Sequence, residues 1–131
     1  MVLLDTSVWI EAFRKSSRIV LTEIVDFDEI FTCLPVIQEV LQGFREERHH
    51  RAAREAMLAL PRVESPLKVD VFDHAIDLYR AARRAGHTVR SGVDCLIAAC
   101  ALRHDLQIVH VDRDFELLAA VSGLKTRKIG V

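Results

Sequence analysis

A short apolar segment that ends in an aspartate opens the chain and constrains its fold most strongly. Residues 2–4 are Val, Leu and Leu, and Asp5 follows them directly, with Thr6 and Ser7 after it. Three consecutive apolar residues predict a short buried strand. Open α/β sheets bind their ligands beyond the carboxyl ends of the strands. We therefore expect Asp5 to lie at the ligand-binding edge of a sheet.

The rest of the chain alternates between strand-like and helix-like segments. Further strands are predicted over residues 30–33, 107–111 and 125–129, the last at a sheet edge, and residues 62–64 are either a short strand or a connection. Helices are predicted over residues 7–14, 18–25, 36–46, 49–60, 68–85, 93–104 and 115–121. This alternation predicts a mostly parallel sheet in a three-layer α/β/α fold. The 131 residues fit a single domain, residues 1–131.

Composition narrows the classes of protein to which the chain can belong. Its net charge of −1, with 18 basic and 19 acidic residues, lacks the basic surplus of many nucleic-acid binders. Half of the residues are hydrophobic, which suggests an apolar surface kept for a partner. No apolar run approaches the roughly 18 residues of a membrane span, and no secretory signal is visible. Three cysteines without zinc-type spacing fit buried thiols, so we expect a cytoplasmic protein.

Acidic residues stand where a parallel sheet would bring them together. Asp5 ends the first strand and Asp112 ends a late one. Glu39 is expected on the first turn of the helix after the second strand, and Asp94 opens the most apolar helix. These four, with Asp114 as a further member, would share one pocket and repel one another by several kcal/mol. A divalent cation relieves that repulsion, and oxygen-only ligands favour Mg²⁺ or Mn²⁺.

Each acid also has a purely structural interpretation. Asp5 suits the N-cap of the next helix, and the segment 91–94 matches a capping box. Asp112 and Asp114 precede another predicted helix and would cap it. Glu39 lies in an otherwise apolar stretch and is harder to explain this way, because carboxylates are seldom buried unpaired.

Aromatic and basic residues leave two interpretations open. Trp9 and Phe13 are four residues apart on a predicted helix and would touch, either in the core or in a groove for a partner helix. Two arginine groups are either solvated helix faces or a rim that contacts phosphates around the acids. The groups are Arg45, Arg48, Arg51 and Arg54, and then Arg80, Arg83, Arg84 and Arg90.

Some activities lack their sequence signals. The chain has no G-x-S-x-G motif of a serine hydrolase and no glycine-rich loop for a nucleotide after the first strand. A phosphotransfer receiver would need an acceptor aspartate at the end of a central strand and a nearby lysine, but Asp94 opens a helix and Lys125 is poorly placed.

Four segments carry a resemblance to a known family. They are LLDTSVWIE (3–11), PVIQEVLQGF (35–44), SGVDCLIAACAL (91–102) and VHVDRDF (109–115). In these segments the chain resembles PIN-domain ribonucleases, and among them the VapC-type toxins of bacterial toxin–antitoxin pairs. The resemblance implies a PIN-like fold and makes Asp5, Glu39, Asp94 and Asp112 the family's catalytic, metal-binding quartet. It also implies that Asp114 matches an acid found in some members, and that Thr6 or Ser7 supports the first acid or its bound water.

The same resemblance implies an activity and partners. One or two Mg²⁺ or Mn²⁺ ions would activate a water that hydrolyses an RNA phosphodiester bond, in tRNA or ribosomal RNA. The group Arg80, Arg83, Arg84 and Arg90 would steer the RNA backbone. A VapB-type antitoxin would lay a helix across Trp9 and Phe13 and direct a basic side chain toward the acids. A homodimer is implied, and a heterotetramer or larger assembly with the antitoxin.

One residue departs from the family pattern near the fourth acid. Many members carry a threonine or serine there, whereas this chain has His110 before Val111 and Asp112. We expect the local hydrogen bonding to differ at this point. The alternative to a nuclease is a catalytically inactive PIN-like module that binds a protein, and the intact acids argue against it.

Overall fold

The computed structural model describes residues 1–130, whose central sheet has four strands. These are β1 (Val2–Leu4), β2 (Ile30–Phe31), β3 (Gln107–His110) and β4 (Thr126–Lys128). The strand order is β2-β1-β3-β4, and every neighbouring pair is parallel. The predicted parallel sheet is confirmed, and β4 lies at the predicted edge. Because Leu4 pairs with Val109, β1 and β3 end at the same edge of the sheet.

Among the described residues, seven α-helices flank the sheet in the predicted three-layer arrangement. They are α1 (Thr6–Phe13), α2 (Leu21–Ile24), α3 (Leu34–Gln42), α4 (Glu47–Leu58), α5 (Val69–Arg84), α6 (Gly92–Arg103) and α7 (Asp114–Ala120). The helix predicted over residues 18–25 is shorter in the structure and corresponds to α2, because the Ser17 hydroxyl donates to the carbonyl of Ile19, accepts its N–H and holds that segment in a non-helical conformation. Residues 62–64 form a connection with one isolated bridge, between Arg62 and Thr32.

Burial of β1, β3 and α6 fixes the centre of the molecule. Leu3 and Leu4 are completely buried, as are Ile97 and Ile108. Burying a leucine or isoleucine side chain stabilises a fold by roughly 1.5–3 kcal/mol. The start of the chain is thereby held in the middle of the sheet, so the residue that follows β1 has a defined position at the carboxyl edge.

Helix starts gather at that edge, as parallel topology requires. Asp5 is the N-cap of α1, and the hydroxyl of Ser91 caps α6 by accepting the N–H of Val93 at 3.2 Å. The placement of Glu39 on the first turn of its helix is wrong. Because α3 already begins at Leu34, Glu39 lies on the second turn, half-buried. Within residues 1–130, none of the helices combines the length and the apolar character needed to cross a membrane.

Candidate active site

The carboxyl edge of the sheet carries a pocket of about 360 Å³. All five acids singled out in the sequence line it, together with both small hydroxyl residues. The lining residues are Asp5, Thr6, Ser7, Ile10, Glu39, Arg90, Ser91, Asp94, Asp112 and Asp114. Side chains from four separate parts of the chain therefore meet in one cavity.

Asp5 uses only one of its two oxygens in structural hydrogen bonds. Its Oδ2 accepts the backbone N–H of Ser7 at 3.1 Å and the Ser7 hydroxyl at 2.6 Å. Its Oδ1 is buried and has no hydrogen-bond partner among the described residues. Burial raises the pKa of Asp5 above its usual value. The capping interpretation is thus correct for one oxygen, and the other remains available to a ligand.

Thr6 and Ser7 support two different acids. The Thr6 hydroxyl donates to Oε1 of Glu39 at 2.7 Å, while Ser7 holds Asp5 and also accepts the N–H of Val111 at 3.3 Å. Consecutive side chains on a helix point about 100° apart, since a turn takes 3.6 residues. The sequence suggested a hydroxyl beside the first acid, but it gave no sign that Thr6 would reach Glu39.

Asp94 lies on the first turn of α6 and is only 8% exposed. Burial raises its pKa to about 7, and the charges of the other four acids add to the shift, that of Asp5 first among them. Near neutral pH the carboxyl group therefore carries a proton in a large fraction of molecules when no cation is present. A bound cation would favour the ionised form, because opposite charge lowers a carboxyl pKa.

Arg90 joins the two acids that follow β3. Its Nη2 donates to Oδ1 of Asp112 at 2.7 Å, and its Nε donates to Oδ2 of Asp114 at 3.3 Å. The backbone N–H of Arg90 also donates to the same Asp114 oxygen at 3.2 Å. Asp112 Oδ1 accepts the N–H of Asp114 at 3.1 Å, which supports the start of α7. The arginine side chain is 63% exposed, so it faces both the acids and solvent.

The donor set fits a hard divalent cation. Asp94, Asp112 and Asp114 each offer an oxygen, and these oxygens lie within 4.8 Å of one another. Oδ1 of Asp114, like Oδ1 of Asp5, is buried without a hydrogen-bond partner within residues 1–130. A buried anionic oxygen without a donor is unfavourable. Carboxylate oxygens are the ligands that Mg²⁺ and Mn²⁺ prefer.

The arginines predicted to contact RNA divide into two sets. Arg90 lines the acid pocket, whereas Arg80, Arg83 and Arg84 lie exposed on α5 and are not among its lining residues. The other arginine group is exposed on and before α4, where Arg51 pairs weakly with Glu47 at 3.9 Å. The solvated-face interpretation suits the group Arg45, Arg48, Arg51 and Arg54.

Trp9 belongs to the core, which was one of the two interpretations of its position in the sequence. It is 5% exposed, and its ring stacks on Phe13 at a centroid distance of 6.0 Å. Phe13 is 40% exposed and contacts the edge of Phe44 at 5.6 Å.

A surface groove of about 220 Å³ lies beside these rings, between α1 and α3. It is lined by Ile10, Phe13, Arg14, Val40, Gly43 and Phe44. Ile10 also lines the acid pocket, so the two cavities adjoin. Sequence reasoning missed Ile10 and Phe44. The apolar side chain of Ile10, three residues before Phe13 on the same helix, was the available signal.

His110 is a further residue whose contacts the sequence did not reveal. It is completely buried at the end of β3. Its Nδ1 lies 3.1 Å from the backbone N of Asp112, and its Nε2 lies 2.8 Å from Oε1 of Glu116. The available signals were its departure from the family pattern and its place two residues before Asp112 in an apolar strand.

Comparison with known proteins gives matches over nearly the whole chain. Residues 2–121 match the PIN domain family. Ribonuclease VapC11 of Mycobacterium tuberculosis is 40% identical over 130 residues, which cover 95% of this chain and 96% of the relative. This identity and coverage are high enough to show family membership.

Solved structures share the fold at much lower identity. VapBC-1 of nontypeable Haemophilus influenzae aligns with a TM-score of 0.74 and 14% identity, covering 98% of each chain. VapBC-5 of M. tuberculosis, from the VapBC family of toxin-antitoxin systems, aligns with a TM-score of 0.72 and 19% identity, covering 98% of each chain. Together with the match to VapC11 and the acids that meet at the carboxyl edge, these findings show that the chain belongs to the PIN-domain family and, within it, to the VapC type.

Proposed function

We propose that this protein is the toxin of a VapBC-type pair, an endoribonuclease that depends on Mg²⁺ or Mn²⁺ and acts in the cytoplasm. Its VapC relative is named a ribonuclease, and we extend the PIN-domain assignment from residues 2–121 to the whole chain, residues 1–131. The observation that carries the proposal is the pocket of five acids, two of which keep a buried oxygen without a donor.

Different acids take different parts in the proposed reaction. Asp94, Asp112 and Asp114 would hold one ion together with the unpaired oxygen of Asp5, and Glu39 lies nearby for a second ion or its waters. A bound ion supplies a more acidic water and offsets negative charge on the phosphate in the transition state. Ser7 orients Asp5. Thr6 occupies Oε1 of Glu39, which leaves Oε2 to accept a proton from the attacking water.

Arginines would bind the RNA backbone around this centre. The exposed guanidinium of Arg90 stands at the pocket, where it would contact the phosphate nearest the acids. Arg80, Arg83 and Arg84 on α5 would bind phosphates farther along the strand. Such contacts release counterions, so RNA binding should weaken as salt rises. Structured RNA such as tRNA or ribosomal RNA is the proposed substrate.

A VapB-type antitoxin would bind in the groove between α1 and α3. The solved neighbour VapBC-5 belongs to a toxin-antitoxin family, which supports a partner of this kind. An apolar helix would contact Phe13, Ile10 and Phe44, while buried Trp9 supports Phe13 from beneath. Because Ile10 borders both cavities, a basic side chain of the same helix would reach the acids.

A second copy of the chain would cover the apolar face of α5. Phe72, Ile76 and Tyr79 are 44%, 54% and 37% exposed, and they line a cavity of about 450 Å³ between α5 and α6. A homodimer formed there would assemble with antitoxin into a heterotetramer or larger complex. Light scattering should give the dimer mass for the wild type and the monomer mass for Ile76→Glu.

RNA cleavage by a matched pair of variants tests the function. Asp94→Asn should abolish cleavage of a tRNA or ribosomal RNA mixture in Mg²⁺ or Mn²⁺, because it removes a central carboxylate and leaves the shape unchanged. Asp77→Asn, on the exposed side of α5, should cleave like the wild type. Circular dichroism checks that both variants fold. Full cleavage by Asp94→Asn would contradict the proposal and favour an inactive module that binds a protein.

A further inference from the structure

A buried histidine stands next to the acids, and the proposed reaction gives it no part. His110 is the last residue of β3 and is 0% exposed. Its carbonyl oxygen accepts the N–H of Ile129 at 2.9 Å, so the neighbouring β4 holds its backbone in place. The imidazole also packs against the ring of Phe115 at a centroid distance of 5.2 Å. Its position is therefore set by the sheet and the core.

The two ring nitrogens of His110 have partners of opposite kind. The backbone N–H of Asp112 can only donate, and it lies 3.1 Å from Nδ1. The Glu116 carboxylate accepts, and its Oε1 lies 2.8 Å from Nε2. Nδ1 must therefore be the unprotonated nitrogen and Nε2 the one that carries hydrogen, because a neutral imidazole has one donor and one acceptor. Glu116 thus selects the tautomer that binds Asp112.

This bond completes the restraint of Asp112. Its side-chain Oδ1 already accepts from Arg90 and from the N–H of Asp114. The imidazole adds a restraint on its backbone, from a ring that is itself fixed by β4 and Phe115. Without that acceptor, the backbone at Asp112 would lose this restraint, and the direction of the carboxylate would depend on Arg90 and the N–H of Asp114 alone.

We propose that His110 is a positioning residue that sets the direction of Asp112 for ion binding, with Glu116 fixing its tautomer. The inference rests on the proposed function, because it assumes that an ion binds in the acid pocket. His110 itself touches neither ion nor RNA. Loss of an outer partner of a metal ligand commonly lowers metal affinity about 10- to 100-fold.

Two substitutions separate positioning from packing. In His110→Asn, the side-chain oxygen takes the place of Nδ1 and can accept the N–H two residues on, as in an Asx turn. In His110→Phe, the ring and its volume remain but the acceptor is lost. Packing alone predicts that His110→Phe is the milder change. Positioning predicts that His110→Asn keeps the ion response, even though the metal-free protein melts at a lower temperature.

The measurement is the melting temperature of the full chain with and without Mn²⁺, together with calorimetric Mn²⁺ affinity. We expect His110→Asn to bind Mn²⁺ within about threefold of the wild type, and His110→Phe to bind roughly 10- to 100-fold more weakly. Wild-type affinity in His110→Phe, or equal losses in both variants, would overturn the proposal.

Nitrogen NMR of the wild-type imidazole gives a test that needs no variant. The expected spectrum has an unprotonated Nδ1 and a protonated Nε2 for His110, whether or not Mn²⁺ is present. A proton on Nδ1 would overturn the proposal, since that nitrogen could not accept from Asp112. If the wild type shows no response to Mn²⁺, the proposed metal site fails, and the spectrum still decides the bond between His110 and Asp112.

Discussion

The acid pocket has two halves that hold their carboxylates by different means. In the first half, Asp5 and Glu39 are held by the neutral hydroxyls of Ser7 and Thr6. In the second half, Asp112 and Asp114 bind the positive guanidinium of Arg90. Hydroxyls orient a carboxylate without cancelling its charge, whereas a guanidinium does both. The comparison teaches that negative charge without a compensating cation is greatest in the first half and at Asp94, although Oδ1 of Asp114 in the second half also lacks a donor within residues 1–130.

The two halves also differ in how the chain builds them. In the first half, capping of α1 places Asp5 beside Ser7, and Glu39 reaches Thr6 from the second turn of α3, 33 residues along the chain. The second half brings Arg90, in the loop before α6, to acids more than twenty residues away. Removing a carboxylate from either half should therefore weaken ion binding, whereas removing Arg90 should change both the charge beside the ion and the contact with RNA.

Removing the charge of Asp5 should have the largest effect. In Asp5→Asn we expect the rise in melting temperature caused by Mn²⁺ to disappear. The rate of RNA cleavage should fall by more than about 100-fold, which is the upper end of the loss when a residue that only supports a metal ligand is replaced. The metal-free protein should be no less stable, because burial disfavours the ionised form of Asp5. Thermal denaturation with and without Mn²⁺ measures this, with Asp77→Asn as the control. A rise in melting temperature with Mn²⁺ that persists in Asp5→Asn would contradict the claim that the first half of the pocket binds the ion.

Removing the positive charge of Arg90 should have a smaller and opposite effect on ion binding. Arg90→Gln should bind Mn²⁺ severalfold more tightly, because one positive charge beside Asp112 and Asp114 is gone. It should cleave RNA about tenfold more slowly and reduce the salt slope of RNA binding by about one. Calorimetry and binding at several salt concentrations measure these changes.

The control for this prediction is Arg84→Gln, on α5 outside the pocket. It should leave Mn²⁺ affinity unchanged and weaken RNA binding only modestly. Weaker Mn²⁺ binding by Arg90→Gln would show that the guanidinium organises the second half more than it competes with the ion.

Removing the hydrogen bond from the Thr6 hydroxyl to Glu39 should slow catalysis with little loss of stability. Thr6→Val removes the donor 2.7 Å from Glu39, and we expect cleavage to fall roughly fivefold, while unfolding changes by at most about 1.5 kcal/mol. Thr6→Ser keeps the hydroxyl and should restore the rate. Equal rates for the valine variant and the wild type would show that Glu39 needs no such support.

The smallest effect, a small change in melting temperature, is expected for an arginine–carboxylate contact outside the pocket. This contact can be compared with that of Arg90 in the second half. Arg103 binds Glu64 at 2.7 Å and Asp70 at 2.8 Å, and its bond holds the pKa of Glu64 below the ordinary 4.5. A lowered folded-state pKa gives stability that is complete above the unfolded value and is lost as pH falls through the folded one. Arg103→Gln should therefore melt slightly earlier at pH 7, and the difference should shrink below about pH 4.5.

Denaturation of both proteins over a pH series checks this, and Mn²⁺ affinity should stay unchanged in Arg103→Gln. A gap in melting temperature that persists at pH 3 would mean that packing of the Arg103 side chain, and not its charge, provides the stability.

The acids show how far the sequence alone reaches. Asp5, Glu39, Asp94, Asp112 and Asp114 were expected to share one pocket, and the structure places all five there. Their capping interpretations were not alternatives after all, because Asp5 caps α1 with one oxygen and keeps the other. The sequence pattern gives the position of a residue on an element, but not the direction of each oxygen.

The sequence by itself determined the order of strands and helices, the parallel sheet and the family. Apolar runs and helix caps are local properties, and the acids of the family lie in short motifs that need no structure to be found. Only the tertiary structure decided that Thr6 reaches Glu39, that Arg90 joins two acids, that Trp9 is buried, and that His110 holds Asp112. The physical reason is that side-chain hydrogen bonds require separations near 3 Å, and the packing of helices on the sheet sets those separations between segments far apart in the chain.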